Sequence, residues 1–272
     1  MKGIKSKDYS EISITGLEFL NECYFILQTE PVSILPLPGQ FYLLKPLKNF
    51  PSLLHIPVSI YNIEDNKLQF LIKKIGSGTE SLAALSPGQK IRLLGPLGNQ
   101  FQLVENKKVL LVSGGIGYAP LYLLKQHLLL HNNTVTWLHG GKSAQDILPT
   151  HLICTEDGSL GDKGLVTEKL IKILAQQGTL INENSDYPLQ KGLNSYDLIY
   201  CCGPKAMMIE IWKITSPLNI ALQVSLEEYM ACGLGSCYGC AVKIRNEQGI
   251  EEYKRVCYDG PVFNANEVIW DE

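Results

Sequence analysis

The sequence predicts a β-barrel, then an α/β domain with a parallel sheet, and finally a small C-terminal segment that contains a cysteine cluster. Short apolar or alternating runs, separated by Pro and Gly, recur through residues 1–104. From residue 105 onward, strand-length apolar runs alternate with helical stretches. Four of the eight cysteines then fall between Cys232 and Cys257. We therefore expect three units, at residues 1–104, 105–222 and 223–272.

The composition fits a folded protein and argues against two classes of partner. The chain has 272 residues, of which 45% are apolar and 19% charged, and this is enough for two domains. With a formal net charge of −3 and no clustered basic patch, no nucleic-acid partner is expected. No run approaches the roughly 18 apolar residues of a membrane span, and the N-terminal residues lack the apolar core of a signal peptide. We therefore expect a cytoplasmic protein without a membrane partner.

The first 104 residues contain six strand-like runs at the spacing of a small barrel or sandwich. Pro and Gly residues at 36–39, 87–88 and 95–96 separate them. A short helix is expected at Ser81–Leu85. The expected strands are Glu11–Ile14, Cys23–Gln28, Gln40–Leu44, Val58–Ile63, Leu68–Ile72 and Lys90–Leu94.

From residue 105, buried strands alternate with helices, which is typical of a parallel sheet covered on both faces. Helices are expected at Pro120–Leu130, Thr167–Gln176 and Met207–Ile214. The polar residues 182–195 are expected to form a surface loop. The expected strands are Val109–Val112, Val135–His139, Leu152–Thr155 and Leu198–Cys202.

The C-terminal cysteines have the spacing Cys232-x4-Cys237-x2-Cys240, followed by 16 residues before Cys257. This is the plant-type iron–sulfur pattern, and soft thiolates suit both iron–sulfur clusters and zinc. Zinc is usually held by two short C-x2-C knuckles, whereas here three ligands share one loop. Three glycines between these ligands supply the positive φ angles and close approach that a tight loop needs. The pattern favours a [2Fe–2S] cluster over zinc or unligated cysteines.

Two turns follow strands of the predicted parallel sheet. The first contains four residues from Gly114 to Gly117 and leads into a helix, whose N-terminus can bind phosphate. It lacks the G-x-G-x-x-G pattern, so a tight turn without a ligand explains it equally well. The second turn follows Cys201 and Cys202, which are also explained as small buried hydrophobes. Because ligands of open α/β sheets lie beyond the carboxyl ends of the strands, both turns could face one crevice.

Taken together, these motifs resemble the ferredoxin–NADP reductase superfamily. Within it, the chain resembles the electron transfer subunits of type B dihydroorotate dehydrogenase. The resemblance covers nearly the whole chain, and its most specific part is C-terminal. It rests on Ile75–Thr79, Leu85–Gln89, Leu94–Asn99, Ser113–Pro120, Cys202–Pro204, Val224–Gly233 and Cys257–Phe263.

The resemblance implies three cofactors or substrates and one partner. The first unit would be the flavin domain and the second the nucleotide-binding domain. The partner would be an FMN-containing catalytic subunit that oxidises dihydroorotate in pyrimidine biosynthesis, in a heterotetramer with two copies of each subunit. FAD would contact Ile56, Pro57, Val58, Ser59, Leu71, Ile72, Lys73, Gly78 and Thr79. NAD, as a substrate, would contact Gly114, Gly115, Ile116, Gly117, Cys202, Gly203 and Pro204. The [2Fe–2S] cluster would be held by Cys232, Cys237, Cys240 and Cys257.

The sequence departs from this family at two positions. Ile56 stands where the family has Arg in its first flavin motif, and Tyr229 stands where the family has Arg before the first cysteine. An Arg would form charge-assisted, often bidentate contacts with phosphate oxygens. We therefore expect loosely held FAD, unless Lys73 supplies the missing charge.

The combination of cofactors has a chemical logic. NAD exchanges two electrons as hydride, an iron–sulfur cluster takes one at a time, and a flavin does both. The protein then needs to position these groups, and no catalytic acid or base is expected. Three alternatives stay open: a related subunit linked to ferredoxin or glutamate synthase, a stand-alone NAD(P)H oxidoreductase, and a binding module stabilised by zinc.

Overall fold

The computed structural model describes residues 9–48, 54–176, 180–181, 189–190, 196–246 and 248–270. Within these ranges the strands are β1 (Tyr9–Phe19), β2 (Tyr24–Pro31), β3 (Phe41–Pro46), β4 (Ile56–Ser59), β5 (Asn62–Glu64), β6 (Lys67–Lys73), β7 (Lys90–Leu97), β8 (Lys108–Gly114), β9 (Thr134–Gly141), β10 (Leu152–Thr155), β11 (Asp162–Lys163), β12 (Leu180–Ile181), β13 (Leu189–Gln190), β14 (Leu198–Cys202), β15 (Ala221–Ser225), β16 (Ala241–Arg245), β17 (Glu251–Arg255) and β18 (Val262–Asn264). The α-helices are α1 (Ser77–Ala83), α2 (Tyr118–Leu130), α3 (Val166–Gln176) and α4 (Lys205–Thr215).

The N-terminal strands form a curled antiparallel sheet in the order β4-β3-β7-β1-β2-β6-β5. Apolar residues alternate along its strands, so that one face of the sheet encloses an apolar core. The expected barrel is therefore a half-barrel with β4 and β5 at its edges. Helix α1 begins four residues before the expected Ser81. The reason is local, because the Thr79 hydroxyl accepts the N–H groups of Ile75 at 2.9 Å and Gly76 at 3.3 Å.

The second sheet has the order β11-β10-β9-β8-β14-β15-β18 and is parallel except for β18. Residues 109–112 of β8 and all of β14 form continuous apolar runs, as expected for central strands that are covered on both faces. Val109 and Leu111 pack with α2 on one face, while Leu110 and Val112 pack with α3 and α4 on the other. The expected parallel-sheet domain is confirmed.

The C-terminal segment shares its core with the other two parts of the chain. Cys240 and Cys257 flank the β16–β17 hairpin and pack in one apolar cluster with Leu222 of β15 and with Phe41 and Leu43 of the curled sheet. After the hairpin, the chain returns to the parallel sheet as β18. The cysteine-containing segment is therefore attached to both sheets.

Two expectations meet the structure only in part. The expected boundary between residues 222 and 223 falls inside β15, so the three-unit division stays a proposal. Within the expected loop 182–195, residues 189–190 form β13, which pairs with β12. The rest of this loop, residues 182–188 and 191–195, lies outside the described residues. Among the helices that the structure describes, none is long and apolar enough to cross a membrane.

Candidate functional site

A cavity of about 1220 Å³ is bounded by residues of both sheets. All the residues expected to contact FAD or NAD line it except Gly78, and the four clustered cysteines do not line it. The cavity is thus the place where the two expected binding motifs meet. The expected residues that line it are Ile56, Pro57, Val58, Ser59, Leu71, Ile72, Lys73, Thr79, Gly114, Gly115, Ile116, Gly117, Cys202, Gly203 and Pro204.

The two turns of the parallel sheet touch each other at the floor of this cavity. Strands β8 and β14 are hydrogen-bonded neighbours, with Ser113 opposite Cys202. A Cβ atom on Gly117 would overlap the Cys202 carbonyl group and lie 2.7 Å from the Gly203 nitrogen. Glycine is therefore required at position 117 by close backbone approach. The crevice expected from the two turns is present.

Cys201 and Cys202 have different surroundings. Cys201 is fully buried in the core, as expected for a small hydrophobe. Cys202 lines the cavity. Burial, with a smaller contribution from the nearby Glu227 carboxylate, raises the pKa of the Cys202 thiol to about 12, although a hydrogen bond with Ser225 acts in the opposite direction. Cys202 is therefore a neutral thiol at pH 7 and has no activated thiolate for nucleophilic attack.

Glu227 is a cavity residue that the sequence analysis did not single out. Its side chain is accessible from the cavity, but surrounding protein raises the pKa of its carboxyl group, with a smaller contribution from Glu228. Nothing in the sequence distinguishes this acidic pair from a solvated surface pair, since the cavity is assembled from distant segments.

Lys73 joins the two sheets through an ion pair. Its Nζ lies 2.6 Å from Oδ1 of Asp146, which follows β9, and the Tyr24 hydroxyl donates to the same oxygen at 3.0 Å. The backbone N–H of Lys142 donates to the other carboxylate oxygen at 3.2 Å. The Lys73 ammonium group is thus engaged within the protein, which argues against the alternative that it replaces the family's phosphate-binding Arg.

Replacing Asp146 with Asn should destabilise the chain at neutral pH by about 1–2 kcal/mol, because a hydrogen-bonded ion pair is lost and Lys73 is partly exposed. Burial raises the pKa of the Asp146 carboxyl group, but hydrogen bonds from Lys73 and Tyr24 more than offset this and lower it below the ordinary value of 3.8. The carboxylate therefore stabilises the fold above that value, and its contribution is lost as the pH falls through the lowered pKa.

Urea unfolding of wild type and Asp146→Asn at pH 7 and near pH 3 measures this effect. The stability difference should shrink at the lower pH. The control is Asp65→Asn, which changes an exposed turn carboxylate. Equal stability of Asp146→Asn and wild type at pH 7 would contradict the assignment.

Neither Ile56 nor the neighbouring His55 carries the positive charge of the family's Arg. Ile56 is half-buried, lies opposite Leu44 of β3 and packs against the core of the curled sheet. The neighbouring His55 has a buried Nε2 atom without a hydrogen-bond partner among the described residues. Burial lowers the pKa of His55, and the charges of Lys45 and Arg92 lower it further. His55 is therefore neutral at pH 7 and supplies no positive charge.

The four clustered cysteines interact with one another. Cys232 interacts with Cys237 and with Cys257, and Cys257 also interacts with Cys240. Three of the four thiols lie on the loop before β16 and the fourth follows β17, so they are not presented by the two short knuckles typical of zinc. This donor set fits an iron–sulfur site, and the four cysteines would hold a [2Fe–2S] cluster.

Backbone N–H groups point at the sulfur atoms of the clustered cysteines. Leu234 donates to Cys232 Sγ, Gly239 to Cys237 Sγ and Cys257 to Cys240 Sγ, each at 3.4 Å. The loop turns through left-handed conformations at positions 233, 235 and 238, where φ is +65°, +79° and +57°. The first two are glycines, as expected, whereas the third is a tyrosine and Gly239 needs no positive φ. Such N–H groups stabilise the anionic sulfurs of a bound cluster.

The comparisons with known proteins agree with this geometry. Residues 227–269 match the family described as the iron–sulfur cluster binding domain of dihydroorotate dehydrogenase B. The chain is 36% identical over 242 residues to the dihydroorotate dehydrogenase B (NAD(+)) electron transfer subunit of Caldanaerobacter subterraneus subsp. tengcongensis, covering 86% of this chain and 88% of the relative. It is 35% identical to the subunit of the same name from Clostridium acetobutylicum, covering 86% and 87% of the two chains.

Solved structures show the same architecture. A chain of the NADH-dependent reduced ferredoxin-NADP oxidoreductase, described in the context of flavin-based electron bifurcation, aligns with a TM-score of 0.78 and 25% identity, covering 100% of this chain and 92% of that one. A ferredoxin NADP+ reductase from Neisseria gonorrhoeae aligns with a TM-score of 0.61 and 16% identity, covering 79% and 93%, and supports the fold alone. The resemblance expected from the sequence is confirmed: this chain belongs to the family of dihydroorotate dehydrogenase B electron transfer subunits, and its role is electron transfer.

Proposed function

We propose that this chain relays electrons in the cytoplasm between an FMN-containing, dihydroorotate-oxidising subunit and NAD, through a [2Fe–2S] cluster and FAD. The observation that carries the proposal is that one cavity is lined both by expected FAD residues and by expected NAD residues. FAD, when bound, supplies the exchange between two-electron hydride chemistry and one-electron transfer. The chain itself would position the bound groups, exclude water from between them and supply the ligands of the cluster.

The proposed cluster loop lies against the wall of the cavity that would hold the flavin. A Cβ atom on Gly233 would overlap the side chain of Leu43 and lie 3.3 Å from Leu97, both on the curled sheet. Leu43 is paired with Pro57, which lines the cavity. One strand pair therefore separates the cysteine loop from a proposed flavin contact, and this supports a short path for electrons.

The proposed docking face for the catalytic subunit surrounds Cys237, the exposed member of the four cysteines. Leu234, Tyr238 and Tyr258 beside it are 39%, 54% and 46% exposed. Aromatic residues of this kind are enriched at protein interfaces, and a partner here would approach the cluster directly. We propose that the catalytic subunit covers this face in a heterotetramer with two copies of each subunit.

The isolated chain, loaded with FAD and its cluster, should pass electrons from NADH to an artificial acceptor without oxidising dihydroorotate. Removing hydrogen from a saturated carbon pair needs a positioned base beside a flavin, and the proposed function assigns that step to the partner. Stopped-flow absorbance of the flavin, with and without the catalytic subunit, tests this. Reduction of the flavin in the isolated chain by dihydroorotate would refute the assignment of dihydroorotate oxidation to the partner. NADH oxidation coupled only to ferredoxin would favour the ferredoxin-linked alternative.

Restoring the family's Arg with Ile56→Arg should tighten FAD binding by about 10–100-fold. A charge-assisted contact with a phosphate oxygen contributes about 1.5–3 kcal/mol, and neither Lys73 nor His55 supplies it in the wild type. Fluorescence titration of apo-protein with FAD measures the change. Ile56→Gln is the matched control, since it adds polarity without charge. Unchanged affinity in Ile56→Arg would place the diphosphate elsewhere.

A further inference from the structure

The family's Arg before the first cysteine is replaced here by Tyr229, which is 95% exposed and does not anchor the loop. Another arginine contacts that loop from a different direction. Arg255, at the end of β17, donates from Nη1 to the Gly235 carbonyl oxygen at 3.0 Å. Its side chain is mostly enclosed, with 22% of its surface exposed. Arg255 therefore connects the loop of the first two cysteines to the segment that precedes Cys257.

Three further contacts fix the Arg255 guanidinium group. It binds Asp259 in a bidentate fashion, with Nε 2.8 Å from Oδ2 and Nη2 3.1 Å from Oδ1. Its Cζ lies 5.0 Å from the ring centre of Tyr238 and 4.7 Å from that of Tyr258. The forked hydrogen bonding needs the planar group of arginine and is not available to lysine, whereas either cation can lie over a tyrosine ring. Tyr238 is the loop residue in the left-handed conformation, so Arg255 also supports a strained position between two cysteines.

The contact with Gly235 has a direct consequence for a cluster ligand. The Gly235 carbonyl group belongs to the same short turn as the Leu234 N–H, which donates to the Cys232 sulfur at 3.4 Å. Arg255 holds that turn by binding the Gly235 carbonyl oxygen at 3.0 Å. The left-handed φ of +79° at Gly235 permits this orientation. A change in the backbone angles of this turn would move the carbonyl oxygen away from Arg255 and the Leu234 N–H away from the Cys232 sulfur.

We propose that Arg255 is a positioning residue that holds the loop at Gly235 so that the Leu234 N–H stays directed at the Cys232 sulfur, and thereby raises the reduction potential of the cluster. The inference rests on the proposed [2Fe–2S] function. Hydrogen bonds to ligand sulfurs stabilise the reduced, more negative cluster and are one determinant of its potential. Because Asp259 pairs with the guanidinium group, the effect follows from the orientation of the loop and not from net charge.

The test is an electron paramagnetic resonance titration of the full-length chain with its cluster, in wild type, Arg255→Gln and the double variant Arg255→Gln with Asp259→Asn. We expect a lower potential and altered g-values in both variants. If the double variant has the wild-type potential, the proposal is overturned. The shift in Arg255→Gln would then come from the unpaired charge of Asp259 and not from the orientation of the loop. A wild-type potential in Arg255→Gln would also overturn it. Arg245→Gln on β16, which changes an exposed arginine paired with Glu251, is the control.

Arg255→Lys supplies a second measurement if Arg255→Gln does not retain iron. Lysine keeps the charge but lacks the fork, so we expect a potential below that of wild type, and an equal potential would overturn the proposal. If neither Arg255→Gln nor Arg255→Lys retains iron, the proposed effect of Arg255 on the reduction potential is overturned. Arg255 would then be a residue required for assembly of the cluster. Failure of the wild-type chain to show any cluster spectrum would instead refute the proposed function.

Discussion

Replacing Cys237 with Ser should reduce the iron content to less than about a tenth of the wild-type value and weaken the C-terminal segment, because ligand binding there is also folding free energy. The proposed cluster would lose one of its four cysteine ligands. FAD should be retained, since the interior of the curled sheet is a separate apolar core. Iron analysis, visible absorption and flavin content of the purified variant measure the three effects.

The matched control for that experiment is Cys23→Ser. Cys23 precedes β2 and lies outside the C-terminal cysteine group, so its loss should leave the iron content unchanged. Full iron content in Cys237→Ser would contradict the ligand assignment. Loss of FAD together with iron would show that the two sites depend on each other more closely than their separate cores suggest.

Replacing Gly117 with Ala should weaken NADH binding by about 10–100-fold while FAD and iron are retained. The added methyl group would overlap the Cys202 carbonyl group, so the two turns at the cavity floor must move apart. Overpacking of this kind costs about 1–3 kcal/mol, and the displaced turn is the proposed nicotinamide contact. Titration with NADH under anaerobic conditions, followed by flavin absorbance, measures the affinity.

Gly16→Ala is the control for Gly117→Ala. A Cβ atom at position 16 would meet only Gln28, at 3.7 Å, which is an ordinary contact distance. Both variants add the same methyl group, but only one lies at the cavity. Wild-type NADH affinity in Gly117→Ala would show that the nicotinamide binds away from these turns.

Features determined by local pattern could be predicted from the sequence. The strands Leu152–Thr155 and Leu198–Cys202 have the expected bounds, because continuous apolar runs bounded by turns mark buried strands. The start of α1 was wrong, because the Thr79 hydroxyl and not apolar periodicity sets it. The expected site residues converge on one cavity, although their roles stay a prediction.

Contacts between distant segments could not be predicted in this way. Lys73 and Asp146 are 73 residues apart and belong to different sheets, so no periodicity connects them. The same holds for Glu227, which faces a cavity assembled from many segments. Arg255 had no recognisable motif, because its role depends on the carbonyl group of Gly235, which is 20 residues earlier in the chain.

The return of the chain to the parallel sheet as β18 affects how this protein is made. β18 follows all four clustered cysteines in the sequence and completes the sheet beside β15. During synthesis, this edge of β15 stays unpaired until the whole ligand segment has left the ribosome, and an unpaired edge is prone to aggregation. Because metal binding in the ligand segment is also folding free energy, a shortage of iron and sulfide would delay the pairing of β18 with β15. The supply of iron and sulfide would therefore limit the yield of correctly folded protein as well as the occupancy of the cluster. Expression under iron limitation should accordingly give less soluble chain.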